Sequence, residues 1–213
     1  MAHLDPERVR RNLAEVREEV AAAAAGRDVR VLAAVKYVAA EDMPALVAAG
    51  VDLAGENRAQ DLEVKASAHP ELEWHFIGHL QSRKVKQVLP YVRLIHSVST
   101  DSVLDQLGKH ASPETEVLVE VNVAREDGKG GVDPDALDAF VERAPVRVVG
   151  LMTMPPLAAG AGGPESNRRW FAALRELAAA RGLRELSMGT TQDFAVAVQE
   201  GATIVRVGSR LYR

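Results

Sequence analysis

The sequence contains no cysteine. Disulfides, thiolate zinc sites, iron–sulfur clusters and cysteine nucleophiles are therefore excluded, and a reducing compartment is compatible with the chain. Lysine is scarce: of 26 basic residues, 6 are lysine and 20 are arginine, so few side chains could do amine chemistry. No apolar run approaches the roughly 18 residues of a membrane span. The start, MAHLDPERVRRNLAEVREEV, places Asp5, Glu7 and several arginines where a signal peptide would need an apolar core. An excess of positive charge is missing too. The net charge is −4 with a pI near 5.9, which is not the basic footprint of a nucleic-acid binder. The chain is expected to be cytoplasmic, with neither membrane nor nucleic acid as a partner.

What is present is an ordinary globular composition, 47% hydrophobic and 26% charged over 213 residues. After a helix expected over residues 5–25, opened by Asp5-Pro6-Glu7, short β-branched runs alternate with amphipathic helical stretches. The strand candidates are VRVLAAVKYV from Val29, VDLAGEN from Val51, EWHFIGHL from Glu73 and VRLIHSVS from Val92. EVLVEVNV from Glu116, VRVVGLMTM from Val146, ELSMG from Glu185 and ATIVRVG from Ala202 complete the set. AEDMPALVAAG and ESNRRWFAALRELAAARG end on Gly50 and Gly182, where a helix C-terminus favours glycine.

Near-continuous apolar strands in this alternation imply a parallel sheet covered by helices. Eight units predict a single-domain α/β fold over 1–213, a (β/α)8 TIM barrel with an extra N-terminal helix. The chain is short against the usual size of about 250 residues, so its loops must be lean. An open doubly wound sheet is the alternative, weakened by the lack of GxGxxG after the first strand. The Gly/Pro cluster at 155–166 reads as a loop after the sixth strand.

Lys36 stands apart from the other lysines. Lys65, Lys84, Lys86 and Lys109 lie on helices among other charges, and Lys129 lies in the loop REDGKGG. Lys36 sits near the end of the first strand between apolar neighbours, and a half-buried lysine there would have the depressed pKa of a carbonyl nucleophile. The bland reading is a lysine snorkelling at a strand end. Strand ends are also where a barrel builds its site. At the other end of the chain, ELSMGTTQDF reads as strand, Gly-Thr-Thr turn and helix, and VRVGSR ends the last strand. Gly189, Thr190, Thr191, Gly208 and Ser209 would make an anion site between the last two loops. Arg206, two residues before Gly208, faces the lumen or mouth. It has two readings, a salt bridge to Glu56 or a contact to a heteroaromatic nitrogen.

A carbonyl-reactive lysine, a phosphate cradle and a lumen-facing arginine together suggest pyridoxal 5'-phosphate (PLP) held as an aldimine. At these residues the sequence resembles the YggS/PROSC family of PLP homeostasis proteins, itself similar to the N-terminal barrel of alanine racemases. The matches run along almost the whole chain: AVKYV, GENRAQDLEVK, WHFIGHLQSRKVK, IHSV, VNVAREDGKGGV, GLMTM, LSMGTTQDF and VRVGSRLY. The resemblance implies that Lys36 forms the aldimine, that Ser187, Gly189, Thr190, Thr191, Gly208 and Ser209 hold the phosphate, that Arg206 lies near the pyridine nitrogen, and that Asn57 lies close to the cofactor. It departs from the family at SMGTTQD, usually SMGMS-x-D, and at VGSRLYR, often VGTAIFG. Thr191 and Ser209 keep hydroxyls at those places, whereas Arg210 adds a charge.

An arginine at the pyridine nitrogen leaves that nitrogen unprotonated and weakens the electron sink. Racemisation would further need an acid/base opposite the lysine. In alanine racemases a tyrosine of a second domain of the partner supplies it. Of the three tyrosines here, Tyr37 should point to the other strand face, and Tyr91 and Tyr212 have no evident reason to face a ligand. The expectation is a monomeric carrier or buffer of PLP, serving PLP-dependent apo-enzymes, without catalytic residues or metal. The alternatives are a PLP-dependent amino-acid racemase and, more distantly, a Schiff-base aldolase-type barrel with a sugar phosphate in the cradle. His75 and His79, on one strand face, lack a third metal ligand and read as core or mouth residues. Lys129 reads as a solvated loop lysine, and SRKVK from Ser82 as a solvated helix face.

Overall fold

Each apolar segment singled out in the sequence forms a β-strand, and the strands pair in sequence order. The structure, a computed structural model, describes residues 4–156 and 163–213. The strands are β1 (Arg30–Ala34), β2 (Leu53–Glu56), β3 (Glu73–Phe76), β4 (Leu94–Val98), β5 (Glu116–Glu120), β6 (Arg147–Met152), β7 (Glu185–Thr190) and β8 (Ile204–Val207). All neighbouring pairs are parallel, and β1 closes on β8 with Arg30 opposite Ile204 and Ala33 opposite Val207. That closure settles the barrel against the open sheet.

Helices follow the strands on the outside: α2 (Met43–Ala48), α3 (Ala59–Ala68), α4 (Val85–Val88), α5 (Asp101–His110), α6 (Leu137–Glu142), α7 (Arg168–Ala179), α8 (Phe194–Gln199) and α9 (Ser209–Tyr212). Their shortness is how a small chain completes the barrel. The extra helix, α1 (Pro6–Ala24), starts as expected: Asp5 caps it by accepting from the Glu7 amide, and Pro6 occupies the first turn. It buries Val9, Leu13, Val16 and Val20, a stripe at helical spacing, against α8, α9 and α2. Residues 157–162 of the expected 155–166 loop lie outside the described residues. Among the described residues no helix is long and apolar enough to cross a membrane.

The apolar interior forms two layers. Between sheet and helices packs a large cluster that includes Val35, Leu62, Phe76, Ile95, Leu107, Phe171 and Leu211. Inside the barrel lies a smaller one: Leu32, Leu53, Leu94, Leu118, Met152 and Ile204. Polar side chains share the lumen with it: Glu73, His75, His96, Ser187 and Arg206 lie at the same levels as these apolar residues. Leu118, fully buried in this plug, has no helix beside it to relax into the space it would leave. Leu118→Ala is expected to cost about 2–5 kcal/mol, the range for buried leucine truncations, read from urea unfolding.

Candidate functional site

β1 stops at Ala34, because the Val38 amide donates to the Val35 carbonyl (3.0 Å) and turns the chain. Lys36 and Tyr37 therefore sit in an exposed turn at the C-terminal mouth. The half-buried strand lysine of the sequence reading is not what forms. Strand alternation does not govern Tyr37 either: its ring is 87% exposed and its centroid lies 4.6 Å from Lys36 Nζ.

The buried lysine is Lys65, which the sequence reading left among charges on a helix. It is 4% exposed and donates to Glu56 Oε2 (2.6 Å) and to the Val35 carbonyl (2.9 Å). Glu56 Oε1 accepts from the Asn57 amide (2.6 Å). One buried ion pair thus ties α3 to the residue before Lys36 and to the residue after β2. The signal was available: Lys65 continues the Ala59, Leu62, Ala66 stripe that α3 buries. Glu56 is consequently taken, and the reading of an Arg206–Glu56 salt bridge is overturned. Asn57 Oδ1 is buried without a hydrogen-bond partner, an orphan that a ligand at this mouth could satisfy.

The two last turns meet beside Lys36. Gly189 has φ +87°, and a Cβ there would lie 2.5 Å from the Ala197 Cβ, so only glycine lets β7 turn into α8 at this distance. Thr191 Oγ1 accepts from the Gly208 amide (3.1 Å), which joins the turn after β7 to the turn after β8. Tyr212 donates to the Ala34 carbonyl (3.2 Å), fastening the last helix to the end of β1. Thr190 departs from expectation. Its amide and hydroxyl both donate to Asp193 Oδ1 (2.7 and 3.1 Å), and Asp193 is held in turn by Asn167 (2.8 Å). Those donors brace the turn, leaving Thr191, Ser209 and the turn amides around them for an anion. Arg210 pairs with Glu19 on α1 and so points outward.

Arg206 faces the mouth as expected. It donates to the Thr153 carbonyl (3.0 Å), just past the end of β6, and to Ser187 Oγ (2.5 Å). No carboxylate reaches ion-pair distance among the described residues; burial lowers its pKa to about 10, against the more distant Asp193 and Glu120. It stays charged at neutral pH. Ser187, expected in the phosphate turn, is fully buried beneath it and spent on Arg206 and His96.

Below Ser187 lies a chain of side chains that no local motif announces. His96 Nδ1 lies 2.8 Å from Ser187 Oγ, His96 Nε2 lies 2.9 Å from His75 Nδ1, and His75 Nε2 lies 2.8 Å from Glu73 Oε1. The direction of this chain follows from its end. Glu73 is ionised, held down to about 2 chiefly by the His75 hydrogen bond with help from Arg30, so it only accepts. His75 must then donate from Nε2 and, while neutral, accept at Nδ1. His96 donates from Nε2 and accepts at Nδ1, and the Ser187 hydroxyl donates to it. Burial keeps both imidazoles neutral by lowering their pKa values, most strongly for His96. His79 lies exposed beyond the end of β3 at Phe76. No cluster of three metal-binding side chains occurs among the described residues.

Two of the remaining candidates settle as surface features. Lys129 pairs with Glu126 (2.5 Å) in an exposed loop, and Lys84 bonds Gln87 (3.0 Å) on the basic patch. Glu120, at the end of β5, was not singled out by the sequence; burial raises its pKa, with Arg206, His79 and Lys129 opposing.

Two predictions follow from this geometry. Lys65→Met strands a buried carboxylate and should cost about 3–5 kcal/mol in unfolding free energy, whereas the double variant Lys65→Met/Glu56→Leu should recover much of it. The histidines set the acid limit. Their folded pKa values lie below the unfolded 6.5, and that of Glu73 lies below 4.5, so on acidification the unfolded chain takes protons the folded one refuses. Thermal midpoints should hold above about pH 6.5 and fall below it, with Glu73 adding its loss from 4.5 downward. His96→Gln should flatten the upper part of that decline.

The same residues lie in chains already known. The family described as alanine racemase, N-terminal domain, matches residues 4–213. The pyridoxal phosphate homeostasis protein of Aquifex aeolicus is 39% identical over 222 residues, covering 97% of this chain and 96% of that one. Its counterpart in Pseudomonas aeruginosa is 36% identical, covering 97% and 94%. The structure of PipY from Synechococcus elongatus with PLP bound superposes with a TM-score of 0.81 at 29% identity, covering 96% of this chain and all of that one. The chain belongs to the alanine racemase N-terminal domain family and, within it, to the pyridoxal phosphate homeostasis proteins.

Proposed function

We propose that this protein binds pyridoxal 5'-phosphate at the C-terminal mouth of the barrel and serves as a carrier or buffer of that cofactor. The observation that carries the reading is the closure of β1 on β8. It sets the Lys36 turn beside the turns at 189–191 and 208–209, on the mouth to which Arg206 points. When bound, PLP supplies an aldehyde that condenses with an amine and a ring that draws electrons from it.

The chain's own groups divide the work of holding it. Lys36 supplies the amine, and the Lys65–Val35 contact fixes the backbone from which it reaches. Thr191 and Ser209, with the turn amides about them, take the phosphate. Asn57 offers its unpartnered Oδ1 to a donor on the ligand. Arg206 has only donors to present, so it leaves the pyridine nitrogen unprotonated and restrains carbanion chemistry. Ser187 and Thr190 act from behind, on Arg206 and on the turn.

We place the protein in the cytoplasm as a monomer that passes PLP to apo-enzymes and so maintains vitamin B6 and amino-acid balance. A racemase would need a proton donor opposite Lys36. Tyr212 is committed to the Ala34 carbonyl and Tyr91 packs against the core.

Purified protein should show the yellow absorption of bound cofactor, and borohydride should fix a pyridoxyl label to Lys36 in a peptide map. Lys36→Ala should abolish the label. Thr191→Val with Ser209→Ala should weaken PLP retention about tenfold or more, since hydrogen bonds to a charged group contribute about 1.5–3 kcal/mol each. Sustained exchange of L- and D-alanine or serine would favour the racemase. A colourless protein that takes up no PLP would leave only the sugar-phosphate reading.

A further inference from the structure

The hydrogen-bond chain below Arg206 runs the length of the barrel and ends in a second opening. At the N-terminal mouth lies a cleft of about 500 Å³, with His75 and Glu73 among its lining residues. Arg30 and Arg147, the first residues of β1 and β6, and Arg93 and Arg184, each one residue ahead of a strand, bring four guanidiniums to it. Glu73, Glu116 and Glu185 bring three carboxylates.

The pairing is uneven. Glu73 takes Arg30 (3.0 Å), while Glu116 is shared by Arg93 (2.7 Å) and Arg147 (3.2 Å). Arg147 reaches outward to Glu114 as well (3.5 Å). Glu185 accepts from the Thr203 hydroxyl (2.7 Å) and neutralises no arginine, and Arg184 has no ion pair among the described residues. Planar guanidiniums gathered over a cleft in this way match the bidentate geometry of phosphate.

We propose that the N-terminal cleft is a second ligand site, for a small phosphate-bearing anion, and that its occupancy is transmitted to Arg206 through His75, His96 and Ser187. The transmission rests on the cofactor reading above; the cleft itself does not. A dianion competing for Arg30 weakens that arginine's hold on Glu73 and adds negative potential beside His75, which favours a proton there. The groups that oppose that proton are Arg30, Arg93 and, beyond His96, Arg206. Glu73 favours it, as do the more distant Glu116 and Glu185, with Arg147 and Arg184 opposing across the cleft.

A proton taken from solvent makes both ring nitrogens of His75 donors. The His75–His96 bond then reverses: His96 carries its single hydrogen on Nδ1 and donates to Ser187 Oγ, and the Ser187 hydroxyl hydrogen loses its acceptor. One proton is gained in all, at His75. Arg206 is left with an oxygen that already accepts from His96, and its hold on the pyridine side of the mouth changes.

The test uses protein whose PLP has been fixed to Lys36 by borohydride, so that inorganic phosphate, the probe, cannot enter the Thr191 and Ser209 turns. Calorimetry should find one saturable phosphate site per chain, weakened about tenfold or more by Arg147→Gln with Arg184→Gln, both exposed positions. Pyridoxyl fluorescence should shift with the same midpoint, and His96→Gln should remove the shift while phosphate still binds. Absence of a saturable site, indifference to the arginine changes, or binding with no fluorescence shift would each overturn the proposal. Failure of the cofactor reading appears earlier, as a protein that borohydride does not label. Calorimetry on the Thr191→Val variant then still decides the cleft.

Discussion

A guanidinium held inside a barrel without a carboxylate in contact is the constraint around which this protein is built. Arg206 is 6% exposed, and burying a cation is costly unless its donors are satisfied. Neutral acceptors do that work: a backbone carbonyl past β6 and the Ser187 hydroxyl. A carboxylate in the same place would cancel the charge and close the mouth to a ligand's acceptor. Neutral partners leave the positive charge of the arginine uncancelled at the mouth. The buried polar chain under it is the consequence, because Ser187 needs His96, His96 needs His75, and His75 needs an anion at the far end.

The second constraint is the meeting of the two chain ends. β1 must pair with β8 for Lys36 to face the turns that could take a phosphate, and three contacts fix the elements around that seam at its upper end. Tyr212 bonds the Ala34 carbonyl, Thr191 bonds the Gly208 amide, and Arg210 pairs with Glu19. The Lys65–Glu56 pair does the same on the other flank of β1. It anchors the carbonyl of the residue before Lys36, so that an exposed lysine still starts from a defined backbone.

Much of this was legible in the sequence, for physical reasons that can be named. Period-two and near-continuous apolar runs separate strands from helices, and their regular alternation leaves few topologies. Gly50, Gly182 and Gly189 announce turns because their positive φ angles disfavour other residues. The candidate residues near both chain ends stand out because the C-terminal ends of barrel strands carry the loops. What was missed lies in tertiary pairing. The stripe of α3 points Lys65 inward, but nothing local says that it would meet Glu56, or that His75 and His96, on adjacent strands, would touch in the lumen. Lys36 and Tyr37 were misplaced because five residues of β1 end sooner than the apolar run does. Thr190 was misread because its donors meet an acceptor, Asp193, three residues on.

One directed chain of hydrogen bonds, set by Glu73, holds Arg206 in the mouth. Nitrogen-15 NMR of the histidine side chains reads it directly. At neutral pH His75 and His96 should both be neutral with the hydrogen on Nε2, and both should convert to the other tautomer or lose definition in Glu73→Gln. Either ring found with its hydrogen on Nδ1, or carrying a charge at neutral pH, would contradict it.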